Sequence, residues 1–416
     1  MRKRHGVLGL LCAVSVITFL DRLALPVAEP AIRLELHLGP KQWGWVLSAY
    51  VLANALFEIP SGAMGDWNGQ RLELTRITAW WSMFTATTGW CHSFIQIAGA
   101  RFLFGIGAAG AYPNAAGVIS RWFPKKEHAR AQGFVWGTSR LGGALAPLLL
   151  VPLERYAGWR SIFWMMGATG LLWSAIWWSW FRNRPEEMPG ITQAELAEIR
   201  VGALVRNHGD IAVPWRRLFR LPQLWLIVAA YFCYAWGSWF YFGWFTTWLV
   251  RGEGFSFAQM GLFASFPFLV GMIGNLAGGV ISERLVERYG RKNSYRWVTT
   301  VCLVATAGLL LEMSFAHSHQ EIIVLASLGF GMMDLMLPSS WAMCMSIGGA
   351  YGGTATGVMN TAGNLGGWLC TIVFGYAIEA TGNYNLPLRV VAAMVIVGAM
   401  LFALVDCTQG LADEPA

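Results

Sequence analysis

The sequence predicts an all-α membrane protein with twelve transmembrane helices in two pseudo-symmetric six-helix bundles. Of its 416 residues, 56% are apolar and only 13% are charged, whereas soluble domains carry about 25% charged residues. Long apolar segments recur along the whole chain, and a glycine–acid pattern near residue 62 returns near residue 279. These three observations argue against an ordinary soluble globular domain and indicate a chain with two related halves.

Twelve apolar segments have roughly the 20-residue length that crosses the hydrocarbon core of a bilayer. They lie at about 7–26, 43–65, 77–98, 99–122, 130–153, 160–181, 222–249, 258–282, 297–316, 321–347, 353–379 and 386–406. The polar stretch between the sixth and seventh segments divides them six and six. We therefore predict an N-terminal bundle over 1–182, a linker over 183–220 with a candidate amphipathic helix at 192–206, and a C-terminal bundle over 221–416.

Basic residues concentrate in alternate loops, and this asymmetry sets the predicted orientation. Arg2, Lys3 and Arg4 share one side with the basic groups at 121–130, 182–220 and 284–296, while the other side has few. Because cytoplasmic loops carry the excess of Lys and Arg, both termini are predicted to be cytoplasmic. The same asymmetry accounts for the net charge of +7, so the expected macromolecular surroundings are the lipid bilayer and not nucleic acid.

An internal repeat relates the two halves. In each half an acidic residue lies four positions after a glycine, at the end of a span, and basic residues follow. The acid and one basic residue of the two copies are Asp66 with Arg71 and Glu283 with Arg284. Repeated halves suit a carrier with a site at the bilayer midplane, and we predict a gating role for these four residues. The alternative is that they only tether a loop to a helix end.

Two adjacent charges, Asp21 and Arg22, interrupt the first apolar segment. Ionisable groups at membrane depth are costly and are retained mainly where they face a polar cavity or a partner. The pair therefore indicates a functional site for a charged ligand. Adjacent helical residues point about 100° apart, so Asp21 and Arg22 are predicted to have separate partners.

The chain resembles the major facilitator superfamily, and within it the anion:cation symporter family of bacterial sugar-acid and organic-anion carriers. The resemblance covers essentially the whole chain. It is carried by Asp21-Arg22, by the pattern from Gly62 to Arg71, and by motifs around Ile59-Pro60-Ser61, Arg101-x-x-x-Gly105, Tyr112-Pro113-Asn114, Trp122-Phe123-Pro124, Gly357-Val358-Met359-Asn360 and Gly363-Asn364-Leu365-Gly366-Gly367. The resemblance implies proton-driven import of a small organic anion through the inner membrane, by a monomer that needs no cofactor.

Carried over residue by residue, the resemblance makes Arg22 the clamp for the anion and Asp21 a proton carrier. A second proton carrier is expected at the eighth position of the stretch that begins at Arg101, where this chain has Ala108 instead of glutamate. Either natural divergence or a deliberate substitution accounts for the alanine. We expect one uninterrupted helical face to carry Arg101, Ala108 and Tyr112.

We interpret Asp21 as the partner of Arg101 across spans one and four, which leaves Arg22 for the ligand. An anion that competes for the arginines would then release Asp21 to take up a proton. The alternatives are a static Asp21–Arg101 ion pair, and an Arg22 side chain that extends to the membrane interface.

Three further residues of the first half are candidates. Arg140 in span five is a second intramembrane arginine, which favours a dianion or a large acid unless backbone carbonyls hold it. Glu58 is its candidate counter-charge or a replacement proton carrier for position 108, and Asn54 lies one turn before Glu58 as a candidate hydrogen-bond partner of a sugar hydroxyl.

The second half has little intramembrane charge apart from Asp334. Neutral polar side chains are its candidate substrate ligands, with bonding between helices as the alternative. They are Tyr241, Ser339, Asn360 and Asn364.

No enzymatic motif accompanies these residues. The chain has no phosphate-binding glycine loop, no pattern typical of a metal site and no nucleophile motif. We therefore predict a transporter and not an enzyme, without metal or cofactor. The main prediction is a proton symporter; the alternatives are an uncoupled facilitator or exchanger, and a transporter-like anion sensor.

Overall fold

The fold is all-helical, as predicted. A computed structural model describes residues 2–200, 215–349 and 352–410, and the regular secondary structure of these residues is entirely helical. Seven of its helical segments are long and apolar enough, each by itself, to cross a membrane. They are Lys3–Val27, Phe94–Trp122, Ala131–Ala157, Pro222–Gly252, Phe257–Met313, His319–Gly348 and Asn385–Leu404.

The described part of the first half contains nine α-helices. They are α1 (Lys3–Val27), α2 (Glu29–Glu35), α3 (Pro40–Asn68), α4 (Gln70–Thr88), α5 (Phe94–Ala108), α6 (Ala111–Trp122), α7 (Lys125–Ala157), α8 (Trp159–Trp180) and α9 (Gln193–Arg200). The predicted boundary between spans three and four is wrong. Ser93 caps α5, because its hydroxyl accepts the Gln96 N–H, so the connection lies at 89–93 and not at 98–99.

The described part of the second half contains a further nine. They are α10 (Trp215–Leu218), α11 (Pro222–Trp239), α12 (Phe245–Thr247), α13 (Phe257–Phe263), α14 (Phe266–Met313), α15 (His319–Leu335), α16 (Leu337–Gly348), α17 (Gly352–Thr381) and α18 (Asn385–Leu404). Two π-helical segments, Phe240–Trp244 and Trp248–Gly252, flank α12. Predicted spans eight and nine run into each other within α14, which bends at Gly290, where φ is 77°.

Contacts divide the chain into two compact units. The first comprises the described residues within Met1–Ile32 and Leu52–Asp210, and the second those within Arg33–Val51 and Ile211–Ala416. The N-terminal part of α3 thus belongs to the second unit by its contacts. The division into bundles at 182 and 221 remains a prediction.

The linker helix α9 packs onto the first unit. Its apolar residues Leu196 and Ile199 are buried in the protein, so the apolar face of this predicted amphipathic helix packs against the protein itself. The Glu195 carboxylate accepts the backbone N–H groups of Lys3 at 3.1 Å and Arg4 at 2.9 Å. A carboxylate at the N-terminus of α1 is favourable because that end carries the positive pole of the helix dipole. Residues 201–206 of the predicted helix lie outside the described residues.

Candidate functional site

Span four is broken in the middle, and the break shapes the candidate site of the first unit. Helix α5 ends at Ala108 and α6 begins at Ala111; Gly110 between them has φ of 84°. The Ser61 hydroxyl donates to the Ala109 carbonyl at 2.8 Å, and the Asn114 amide donates to the Gly110 carbonyl at 2.8 Å. The Ser61 hydroxyl thus satisfies the Ala109 carbonyl at the end of α5, and the Asn114 amide adds a second bond to the Gly110 carbonyl, which also accepts the Asn114 backbone N–H at 3.0 Å.

The predicted uninterrupted face from Arg101 to Tyr112 is therefore wrong. The positive φ of Gly110 redirects the chain before Tyr112, which stands in the first turn of α6 instead of continuing α5. The Tyr112 ring stacks on Trp136 of α7 with centroids 4.5 Å apart and an interplanar angle of 2°. Its hydroxyl lies 3.5 Å from that of Ser15 on α1. The N-terminus of a helix favours negative charge, so the break creates a place where an anion is stabilised.

Two arginines meet around one aromatic ring of α1. The Cζ atom of Arg22 lies 5.3 Å from the ring centroid of Phe19 and 5.8 Å from that of Tyr112. The Cζ atom of Arg140, on α7, lies 5.7 Å from the same Phe19 ring. Helices α1 and α7 come this close because Gly142 lacks a side chain: a Cβ there would lie 2.7 Å from the Val16 carbonyl oxygen.

Arg140 is only 5% exposed, while Arg22 is partly exposed. Guanidinium groups stay charged when desolvated and bind carboxylates or other oxyanions through two parallel hydrogen bonds. Two such groups beside one ring form a positive site on the first unit, and Arg22 is also close to Tyr112 at the start of α6.

Asp21 turns away from this positive site into the packed interior of the same unit. Its side chain is fully buried, Arg101 interacts with it electrostatically, and the Trp81 indole of α4 lies beside it. Arg101 is itself 1% exposed, and its Cζ atom lies 4.0 Å from the Phe104 ring centroid. The structure therefore brings Asp21 and Arg101 together. Ala108 is buried as well, at the last position of α5.

The other candidates of the first unit lie on α3. Asn54 is buried and Glu58 is partly exposed, one helical turn apart. They keep the relative positions that the sequence predicted.

In the second unit, two of the four candidates are engaged in bonds between helices. The Tyr241 hydroxyl donates to the Ala326 carbonyl at 2.9 Å, and the hydroxyls of Ser282 and Ser339 bond to each other. These contacts favour the structural alternative for Tyr241 and Ser339. Asn360 and Asn364 lie one turn apart on α17, both partly exposed.

The residues of the repeated motif have different surroundings. Arg71 donates to the Trp178 carbonyl at 2.9 and 2.6 Å and lies over the Trp178 ring, which ties α4 to the end of α8. Glu283 lines a cavity of about 390 Å³ together with Ser282 and Tyr295, and Arg284 is exposed. The side chain of Asp66 lies outside those that the structure describes.

Sequence reasoning missed three residues that shape these sites: Phe19, Trp81 and Trp136. Phe19 had a usable signal, because residues three apart on a helix share a face and Arg22 follows it by three. Trp81 and Trp136 gave no such signal, since a tryptophan in an apolar segment is also an ordinary packing residue.

Comparison with known proteins relates the chain to membrane transporters. The pattern of the Major Facilitator Superfamily matches residues 10–371. The chain is 36% identical to the "Probable sulfoacetate transporter" of Cupriavidus necator, over 96% of this chain and 93% of that protein. It is 28% identical to the "Probable L-galactonate transporter" of Escherichia coli K12, over 94% and 87% of the two chains.

Among solved structures, the fold is similar to that of a bacterial homologue of the human lysosomal transporter Spinster in an inward-facing, occupied conformation. The TM-score is 0.78 at 19% identity, over 97% of this chain and 96% of that chain. At this identity the likeness concerns the fold alone.

Proposed function

The chain belongs to the major facilitator superfamily, and we propose that it imports a small organic dianion together with protons, by alternating access across the inner membrane with both termini cytoplasmic. Membership makes it a multi-pass membrane transporter and not an enzyme. The anion, its charge and the proton coupling are the proposed parts.

The arrangement of Arg22 and Arg140 around Phe19 carries the proposal. One guanidinium neutralises one acidic group, so two of them beside one ring suit a substrate with two acidic groups separated by a short chain. The first turn of α6, which bears Tyr112, adds a favourable dipole.

The relatives support the same substrate class. Their names include transporters of sulfoacetate, which bears a sulfonate and a carboxylate, and of galactarate and glucarate, which bear two carboxylates. Others transport galactonate, which has one carboxylate. The second arginine is the feature of this chain that favours the dianions, and Asn360 and Asn364 are the proposed polar ligands of the second unit.

Proton coupling is proposed to run through Asp21. The positive charge of Arg101 acts on the Asp21 carboxylate. Arg22, the next residue in the sequence, belongs to the anion site. An anion that draws Arg101 toward itself weakens the hold of this guanidinium on the Asp21 carboxylate, and the carboxylate then takes up a proton. Release of the anion restores the Asp21–Arg101 interaction and expels the proton.

A second candidate function is uncoupled exchange of the same anions. Ala108 favours it, because an alanine stands buried where the resemblance places a second proton carrier. An exchanger would need only the two-arginine site and would not need Asp21 to change its protonation.

Uptake by proteoliposomes tests the substrate class. Competition by sulfoacetate, galactarate and galactonate is compared between the parent protein and Arg140→Gln. Loss of a charge-assisted hydrogen bond costs about 1.5–3 kcal/mol, so the variant is expected to bind the two dianions about 10- to 100-fold more weakly. Galactonate affinity is expected to change less than about threefold, because the monoanion does not need the second charge.

Arg155→Gln is the matched control, since Arg155 is an exposed arginine on the same helix. It is expected to leave all three affinities unchanged. Equal losses for dianions and monoanion in Arg140→Gln, or no loss at all, would refute the two-arginine site.

A further inference from the structure

Helix α4 has a face of buried hydroxyl groups that the anion site does not use. Thr78, Ser82 and Thr85 follow one another at helical spacing, and all three are fully buried. The Thr78 hydroxyl donates to the Leu74 carbonyl one turn back, at 2.7 Å. The Ser82 and Thr85 hydroxyls have no hydrogen-bond partner. An unbonded buried hydroxyl costs about 1–3 kcal/mol, so an unbonded pair next to a bonded neighbour calls for an explanation.

The indole of Trp81 joins this face to Asp21. Trp81 is 1% exposed and its N–H has no partner in hydrogen-bond geometry, although it lies beside the Asp21 carboxylate. Both carboxylate oxygens of Asp21 likewise lack a hydrogen bond. The charged group that faces Asp21 from the other side is Arg101. Trp81 and Arg101 thus flank the Asp21 carboxylate.

Helix α8 packs directly against this face. Gly170 lies against the junction: a Cβ there would collide with the Ser82 hydroxyl and would lie 3.4 Å from the Trp81 indole nitrogen. Gly167, one turn earlier, lies against the backbone of Ser82, where a Cβ would be 2.7 Å from its carbonyl oxygen. The two glycines bring α8 close to α4 while keeping side-chain atoms out of the space between Trp81 and Ser82.

We propose that Ser82 and Thr85, with Trp81 at the inner end, line a buried proton-access track between α4 and α8 that connects Asp21 with the outer end of α4. It supplies Asp21 with protons by a route separate from the two-arginine anion site. The inference rests on the proposed proton coupling of Asp21 and adds the residues through which the proton arrives.

The chemistry of the side chains fits this role. A hydroxyl both donates and accepts, so each can take a proton from one neighbour while it releases its own to the next, with no net change. Ser82 and Thr85 are three apart, a spacing of about 5–6 Å between Cβ atoms, which one bridging water spans with partners on both sides. The indole only donates, so Trp81 is a positioning residue that holds the end of the track at Asp21. In the predicted orientation the C-terminal end of α4 faces outward, the side from which protons enter.

Matched variants of one helix test the track. Thr85→Val and Ser82→Ala remove the unbonded hydroxyls, whereas Thr78→Val removes a hydroxyl that is already satisfied by its own helix. Two transport rates are measured in proteoliposomes: uptake driven by an inward proton gradient, and counterflow of the anion at equal pH. Thr85→Val and Ser82→Ala are expected to slow gradient-driven uptake about tenfold and counterflow less than about twofold. Thr78→Val is expected to change neither rate.

A second measurement does not depend on transport. After a pH jump, the protonation of Asp21 is followed in time by infrared absorption of its carboxyl group, which is assigned by its loss in Asp21→Asn. The protonation rate is expected to fall about tenfold in Thr85→Val and to be unchanged in Thr78→Val. If the parent shows no gradient-driven uptake, the proposed coupling fails while this rate still decides the track. Rates in Thr85→Val and Ser82→Ala equal to those of Thr78→Val, or equal losses of uptake and counterflow, overturn the proposal.

Discussion

The break in span four makes one substitution unusually informative: Gly110→Ala. The residue has φ of 84°, a conformation that costs an L-residue about 1–2 kcal/mol. The added Cβ would also lie 2.5 Å from the Ser61 hydroxyl oxygen and 2.7 Å from its Cβ. Overpacking of this kind costs about 1–3 kcal/mol. We therefore expect the variant to lose about 2–5 kcal/mol of unfolding free energy.

The assay is reversible unfolding in mixed micelles, followed together with transport. Gly133→Ala is the matched control, because Gly133 is helical and has nothing within 4 Å of the added Cβ. It is expected to be neutral or to gain up to about 1 kcal/mol, since alanine is the better helix former. Transport by Gly110→Ala is expected to fall as well, because the break sets the position of Tyr112 above Arg22.

The double variant Ser61→Gly, Gly110→Ala separates the two contributions. It removes the two side-chain contacts but keeps the strained φ and the backbone carbon of residue 61, which lies 3.0 Å from the added Cβ. The two changes are therefore expected to couple favourably by about 1–3 kcal/mol. A Gly110→Ala protein as stable and as active as Gly133→Ala would refute the role assigned to the break.

Three further predictions concern the ion pair of Asp406, the anchor of α9 at Glu195 and the alanine at position 108. Asp406 pairs with Lys292 at 2.5 Å, and this pairing together with Thr408 lowers the pKa of the Asp406 carboxyl from 3.8 to about 2. A carboxyl with a depressed pKa stabilises the fold fully above its unfolded pKa and loses this contribution as the pH falls through its folded pKa. Asp406→Asn is therefore expected to cost up to about 1 kcal/mol at pH 7 and almost nothing at about pH 1, as measured by unfolding at both pH values. Glu195→Ala removes the carboxylate that accepts two N–H groups of α1, and amide hydrogen exchange in α9 is expected to rise about tenfold, with unchanged exchange counting against this anchor. Ala108→Glu is expected to steepen the dependence of uptake on the proton gradient if position 108 is a lost coupling site, and an unchanged dependence would assign the coupling to Asp21 or Glu58.

Much of the fold could be predicted because the bilayer imposes it. Segments of about 20 apolar residues allow few structures, and each predicted span overlaps a helix of the described chain. The errors lie at helix ends, where local signals outweigh hydropathy. Ser93 begins α5 through its cap, and Gly110 interrupts span four even though the surrounding residues are continuously apolar. Pro113 in the first turn of α6 was an available signal for a new helix start.

The candidate site could be predicted in part, because charge at membrane depth is rare enough to be conspicuous. Asp21, Arg22, Arg101 and Arg140 were all found by this criterion, and the structure brings them into two neighbouring groups. The criterion does not apply to neutral residues such as Tyr241. A neutral hydroxyl serves equally well between helices or toward a ligand, and only the contact with the Ala326 carbonyl distinguishes the two.

Accumulation of the anion against its own gradient is the property that distinguishes the proposed coupling of a dianion to protons from exchange. Proteoliposomes with equal sulfoacetate inside and outside are given an inward proton gradient, and internal sulfoacetate is followed over time. If transport is coupled to protons through Asp21, sulfoacetate accumulates uphill, the accumulation collapses when a protonophore is added, and Asp21→Asn shows no accumulation. Counterflow without accumulation in the parent protein would contradict this coupling and would establish exchange instead.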